Sequence, residues 1–231
     1  MYAVHRWLAA AAIASALVVP PAVAVEKDPE AILATMRAAR EGVSELQGEF
    51  IHTKRAPLFE ETITSRGVLF FRDPDNLRLQ YTEPDSNLVL VANGYVWLYY
   101  PSLRQAHRYD IDPESTLPGL FLGLQGTLDG LYDDFEVSGA EGEERADGYP
   151  TDVIRLRPKE GTDLAGDVEE IVVMIRRDTA LPVRTEFREK SGDRTIFDFR
   201  GFRKNPDLPG DLFVFRPPPD TEVFELEGEK W

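Results

Sequence analysis

Residues 67–105 read GVLFFRDPDNLRLQYTEPDSNLVLVANGYVWLYYPSLRQ, four short apolar and aromatic runs separated by Asp-Pro, Glu-Pro and Asn-Gly. Side chains alternate between the two faces of a strand, so Leu69 and Phe71 share one face while Val68 and Phe70 take the other. In the next run Leu77, Leu79 and Tyr81 oppose Arg78, Gln80 and Thr82, which identifies an inner and an outer side. Leu88 and Leu90 alternate with Val89 and Val91, and Trp97 and Tyr99 share a face of the run that follows. Asn93-Gly94 is the dipeptide of a tight hairpin, because both positions of that turn need a positive φ.

The same period of two extends outward. Runs at 46–54, 62–72, 77–82, 88–92, 95–100 and 105–109, then at 134–137, 152–157, 169–176, 183–189 and 194–199, are joined by short Gly, Asp and Pro links. Such links suit an antiparallel meander better than a parallel sheet with crossover helices. About eleven strands is too many for a flat sheet, so the sheet should curl. Ahead of it, residues 28–43 place Ile32, Leu33, Met36 and Val43 at helical spacing, with Asp28-Pro29 as cap and first turn and Gly42 at the exit. The fold class is therefore α+β: a strongly curved antiparallel sheet with an N-terminal helix.

Two segments break the rhythm. Residues 141–149 are charged and read as a solvated loop. Residues 113–131 carry Leu117, Leu120, Phe121, Leu122, Leu124, Leu128 and Leu131 among Gly119, Gly123, Gly126 and Gly130. Each interior glycine costs a helix ~1 kcal/mol relative to alanine, so a helix here needs its apolar side chains packed against something. That describes a movable cover.

Residues 1–24 combine His5 and Arg6, an apolar stretch and the small-x-small ending Ala22-Val23-Ala24, the pattern of a cleaved secretory signal. The apolar stretch is shorter than the ~20 residues that span a bilayer. Cleavage after Ala24 leaves residues 25–231 as a single exported domain, large enough for its own core. The chain has no cysteine, so thiol lipidation, disulfides and thiolate metal sites are excluded. A formal charge of −15 repels nucleic-acid phosphates and anionic headgroups, so any lipid is taken up through apolar contact.

Catalytic chemistry has little to work with. After the signal only His52 and His107 remain as histidines, each alone in a strand-like run, and both read as ordinary strand residues. There is no Gly-x-Ser-x-Gly elbow and no His-Glu-x-x-His pair, so a hydrolase is disfavoured. Gly161-Thr-Asp-Leu-Ala-Gly166 has phosphate-loop spacing, but Asp167 stands where a lysine is required. Asp133-Asp134, Asp110 and Asp112 lack the further oxygen ligands of a calcium site and read as turn acids. Neither a metal nor a cofactor is expected. Ordinary core packing accounts for any single apolar residue. A curled sheet covered by one or two helices, however, cannot fill its own hollow side, and an apolar cavity should remain.

With these runs in place the chain resembles the LolA family of periplasmic lipoprotein carriers. The likeness rests on Leu46-Gln-Gly-Glu-Phe50, Gly67-Val-Leu-Phe-Phe-Arg-Asp-Pro74, Leu77-Arg-Leu-Gln-Tyr81, Pro84, Leu88-Val-Leu-Val-Ala-Asn-Gly94 and Trp97-Leu-Tyr-Tyr-Pro101. Leu181-Pro-Val-Arg184, Thr195-Ile-Phe-Asp-Phe199 and the proline-rich stretch from Phe213 extend it to nearly all of the exported sequence. The resemblance implies an incomplete β-barrel whose helices cover a cavity for lipoprotein acyl chains. Phe50, Leu69, Phe71, Leu77, Leu79, Tyr81, Leu88, Leu90 and Trp97 would line that cavity, and Leu117, Leu120, Phe121 and Leu124 would belong to the lid. It also implies a monomer that takes cargo from an inner-membrane ABC transporter complex and passes it to an outer-membrane acceptor. A carrier of another lipid, or a periplasmic sensor using the same cavity, is the alternative. Typical members have an arginine directly before the proline after this strand, where it latches the lid. Here Asp73 holds that place and Arg72 lies one residue earlier, on the opposite face of a regular strand. Either a bulge returns Arg72 to the cavity or the lid is latched differently.

Overall fold

A computed structural model describes residues 26–74, 76–110, 131–141 and 149–226. The secretory signal, the lid residues Leu117, Leu120, Phe121 and Leu124, and most of the 141–149 loop lie outside the described residues.

One helix, α1 (Pro29–Arg40), forms where the apolar spacing predicts it. The Asp28 carboxylate accepts a hydrogen bond from the Glu30 N–H at 3.0 Å, Pro29 occupies the first turn, and Arg37 and Arg40 face the negative end of the helix dipole. The helix stops before Val43, because Glu41 leaves helical geometry and Gly42 adopts φ +75°. Asp28→Ala should lower stability by about 1 kcal/mol in urea unfolding, the usual cost of losing such a cap.

The predicted strands appear as β2 (Glu45–Ala56), β3 (Glu61–Arg72), β4 (Asn76–Glu83), β5 (Leu88–Ala92), β6 (Tyr95–Tyr100), β7 (Gln105–Asp110), β8 (Phe135–Glu141), β9 (Thr151–Pro158), β10 (Val168–Arg176), β11 (Pro182–Glu189) and β12 (Arg194–Lys204). Two more, β1 (Glu26–Lys27) and β13 (Glu222–Leu226), bring the sheet to thirteen strands. A short helix, α2 (Leu131–Asp134), precedes β8. Among the described residues the order along the sheet is β1-β8-β9-β10-β11-β12-β2-β3-β4-β5-β6-β7-β13, with no pairing between β1 and β13, so the curved sheet is open there.

The expectation of a wholly antiparallel sheet needs one correction: β13 pairs with β7 in parallel. After β12 the chain returns across one face of the sheet through Pro206, Pro209 and Pro217 to Pro219, residues that cannot donate to a ladder. It joins the sheet again only at the outer edge of β7, and there it runs in the same direction.

The sheet has a helix side and a tail side. Ile32, Leu33 and Met36 of α1 pack on Phe135, Ile154, Leu156, Ile171, Val173 and Ile175, all on the helix side. Phe187 touches both this cluster and a second one, built from Leu46, Phe50, Leu69, Phe71, Leu77, Leu79, Phe197 and Phe199 on the same side. On the tail side, Leu208 and Phe213 pack over Leu88, Leu90 and Ala92. Farther along that side β9 to β12 carry ion pairs instead, such as the two-pronged Arg184 to Asp198 contact at 2.8 and 2.9 Å.

Candidate ligand-binding face

Register decides which side each expected cavity residue takes. Leu69 stands between Gly48 and Leu79, and Phe71 between Leu46 and Leu77, so these side chains form rows across β2, β3 and β4. Gly67 pairs with Phe50 on one side and Tyr81 on the other. The Phe50 ring fills the space a Cβ on Gly67 would need, at 2.6 Å. Phe50, Leu69, Phe71, Leu77, Leu79 and Tyr81 are therefore brought together on the helix side. The rows continue through Val89 and Val91 to Leu98 and Val96. There the face opens: every residue of β6 is only half-buried, whereas Leu69, Leu77 and Leu79 are 4% exposed or less.

Leu88, Leu90 and Trp97 do not join this set. Leu90 pairs with Arg78 and Trp97, placing all three on the tail side, where Trp97 and Tyr99 pack on Phe215. In β5 both alternating sets are apolar, so periodicity could not orient the strand; the orientation follows from pairing with β4. A cleft of about 480 Å³ lies between the tail and this side of the sheet, lined by Arg78, Leu88, Tyr99, Phe215 and Arg216 among others.

Arg72 is also on the tail side. No bulge interrupts its pairing with Glu45 and Asn76, so it faces away from Phe71. Its Nε donates to Glu45 at 2.9 Å, another nitrogen donates to the Leu208 carbonyl at 2.7 Å, and the guanidinium lies 4.9 Å from the Phe213 ring centre. The Leu208 N–H and Arg72 together hold the Glu45 carboxyl below the ordinary range. The expected latch residue thus fastens the tail to the sheet. Asp73 donates its backbone N–H to the Ser44 carbonyl at the entrance of β2.

One polar group on the helix side carried no distinctive signal in the sequence. His52 lies in β2, beyond Phe50, and its ring stacks on Phe197 at 4.3 Å between centres. Its Nδ1 is 3.1 Å from the Tyr81 hydroxyl, and its Nε2 is buried without a hydrogen-bond partner among the described residues. A one-residue shift between β3 and β4, which passes over Thr82, sets Tyr81 opposite Gly67. Burial depresses the imidazole from 6.5 to about 4, and Lys54 adds to the effect, so His52 is neutral near pH 7. Burial and nearby Tyr100 raise the Tyr81 phenol.

The linkage has a definite sign. Between 6.5 and about 4 the unfolded chain binds a proton at His52 that the native state refuses, so acid favours unfolding. Stability should be full above pH 6.5 and lower by about 2 kcal/mol at pH 5. Urea unfolding across this range should show the slope, and His52→Phe should remove its contribution.

No helix among the described residues is long and apolar enough to cross a membrane. Residues 41–216 match a family described as outer membrane lipoprotein carrier protein LolA. The chain is 28% identical over 223 residues to an outer-membrane lipoprotein carrier protein of Methylibium petroleiphilum, covering 94% of this chain and 96% of that protein. It is 27% identical over 220 residues to the protein of the same name in Xanthomonas axonopodis pv. citri, covering 95% and 97%. Among solved structures, an uncharacterized conserved protein from Thermus thermophilus aligns with a TM-score of 0.53 at 16% identity, covering 85% of this chain and 98% of that one. MucB aligns at 0.50 and 16% identity, covering 85% and 65%. At such identities these two structures speak for the fold alone.

Proposed function

Given that the chain belongs to the LolA family of outer membrane lipoprotein carriers, we propose that it is a soluble periplasmic carrier that holds lipoprotein acyl chains on the helix side of its sheet. The observation that supports this reading is the continuous apolar face from Leu46 through Leu79 to the half-buried β6. Such a face gains ~0.8 kcal/mol for each methylene it removes from water. Nothing in that gain requires a covalent step. A carrier working in this way receives cargo from an inner-membrane ABC transporter complex and releases it to an outer-membrane acceptor that binds it more tightly. It acts as a monomer, with residues 25–231 as one domain after loss of the signal.

Depletion of the protein, followed by separation of inner and outer membranes, tests the role. Lipoproteins should accumulate in the inner-membrane fraction; unchanged sorting counts against lipoprotein as the cargo. Mass spectrometry of ligands retained by protein purified from the periplasm should find acylated species. Finding a different lipid class would favour the alternative carrier.

A further inference from the structure

On the strength of the carrier reading, we infer that His52 and Tyr81 form a polar anchor on the helix side that binds the carbonyl oxygen at the head of an acyl chain. The rows from Leu46 and Phe71 to Leu69 and Leu79 offer a ligand only hydrocarbon. An acyl chain differs from plain hydrocarbon in one chemical feature, the C=O through which it is esterified or amidated. Recognising that oxygen takes a hydrogen-bond donor with no charge to neutralise, set among apolar groups.

The arrangement at His52 meets those terms. The Tyr81 hydroxyl has no other partner among the described residues, and when it donates to Nδ1 the ring's remaining proton is on Nε2. Nε2 is then a buried donor left unpaired, and leaving such a donor unmet costs about 1–3 kcal/mol. A ligand carbonyl relieves that cost. An anion is a poorer fit, because the imidazole is uncharged at neutral pH and burial penalises a charge beside it. Both rings are held before any ligand arrives: His52 is stacked on Phe197, and Tyr81 sits edge-on to Phe50 at 5.0 Å. The pair lies beside the Leu69 and Leu79 row, so a chain whose carbonyl reaches His52 can run its methylenes along that row.

The test uses the exported protein labelled with 15N-histidine and two probes that differ only in the linkage, 1,2-dipalmitoylglycerol and 1,2-di-O-hexadecylglycerol, each delivered in detergent micelles. The ester should bind about tenfold more tightly than the ether, the worth of one buried hydrogen bond. The His52 Nε2 resonance should move with the ester alone. His52→Phe should bind both probes at the ether's affinity. Tyr81→Phe, which deletes one oxygen, should narrow the preference, and it serves if His52→Phe does not fold. Equal binding of the two probes with an unmoved His52 resonance overturns the anchor and leaves the carrier reading standing. Binding of neither probe overturns both.

Discussion

Leu79→Glu should eliminate acyl-chain retention and remove much of the protein's stability. Leu79 is 4% exposed and stands between Leu69, which is fully buried, and Val89 in the rows of the helix side. Its neighbours across both ladders, Leu69 and Val89, are apolar. A glutamate there either stays neutral or loses its hydration, and it also breaks the apolar row, at a cost on the order of 4 kcal/mol. From sequence alone a glutamate at this position would be expected to empty the cavity and spare the fold. The observed burial revises that expectation. Leu98→Glu separates the two effects, because β6 is half-buried and its side chains keep access to water. That variant should unfold near the wild-type urea midpoint while losing copurified lipid, read by mass spectrometry. Normal lipid content in Leu98→Glu would place the binding face elsewhere.

Arg72→Ala should release the tail. The substitution removes donors to Glu45 and to the Leu208 carbonyl and deletes the cation over Phe213. Glu45 keeps the backbone N–H groups of Leu208 and Asp207 as partners. Hydrogen bonds to charged groups contribute about 1.5–3 kcal/mol each, so a total loss of about 3 kcal/mol is expected. Limited proteolysis should show faster cutting within residues 205–221, and the melting temperature should fall. The Glu45 contribution is full above the ordinary carboxyl range and is lost as the pH falls through its lowered value, so wild type and variant should converge in acid. An unchanged cutting rate would show that Leu208 and Phe213 hold the tail without help.

The fold was legible where only one of two alternating sets was apolar. Leu77, Leu79 and Tyr81 against Arg78, Gln80 and Thr82 orient β4 by themselves, and the Asn93-Gly94 hairpin fixes its neighbours, with both residues at positive φ. In β5 the pattern is silent, because Leu88 and Leu90 are covered by a tail that arrives much later in the chain while Val89 and Val91 face the helix side. Trp97 follows Leu90 by pairing. The sequence left the side of Arg72 open between a bulge and a regular strand, and its partners Glu45 and Leu208 were not readable, since both are contacts across long stretches of chain. His52 and Tyr81 meet 29 residues apart through two ladders and a register shift, an encounter that no local spacing announces.

Strand β2 is made early, yet it lies in the middle of the sheet, with β3 on one side and β12 on the other. Each half is a local meander, β2 to β7 and β8 to β12, and the seam that joins them pairs Arg55 with Arg194 and Leu46 with Lys204. Contacts so distant in the chain form slowly, because their loop must close before any pairing rewards it. A polypeptide threaded through a secretion pore amino end first would present the first meander with its β2 edge bare until the second emerges. Such an edge invites association with other chains during that interval. Pulse-labelled hydrogen exchange during refolding should find the β2 to β12 amides among the last to gain protection.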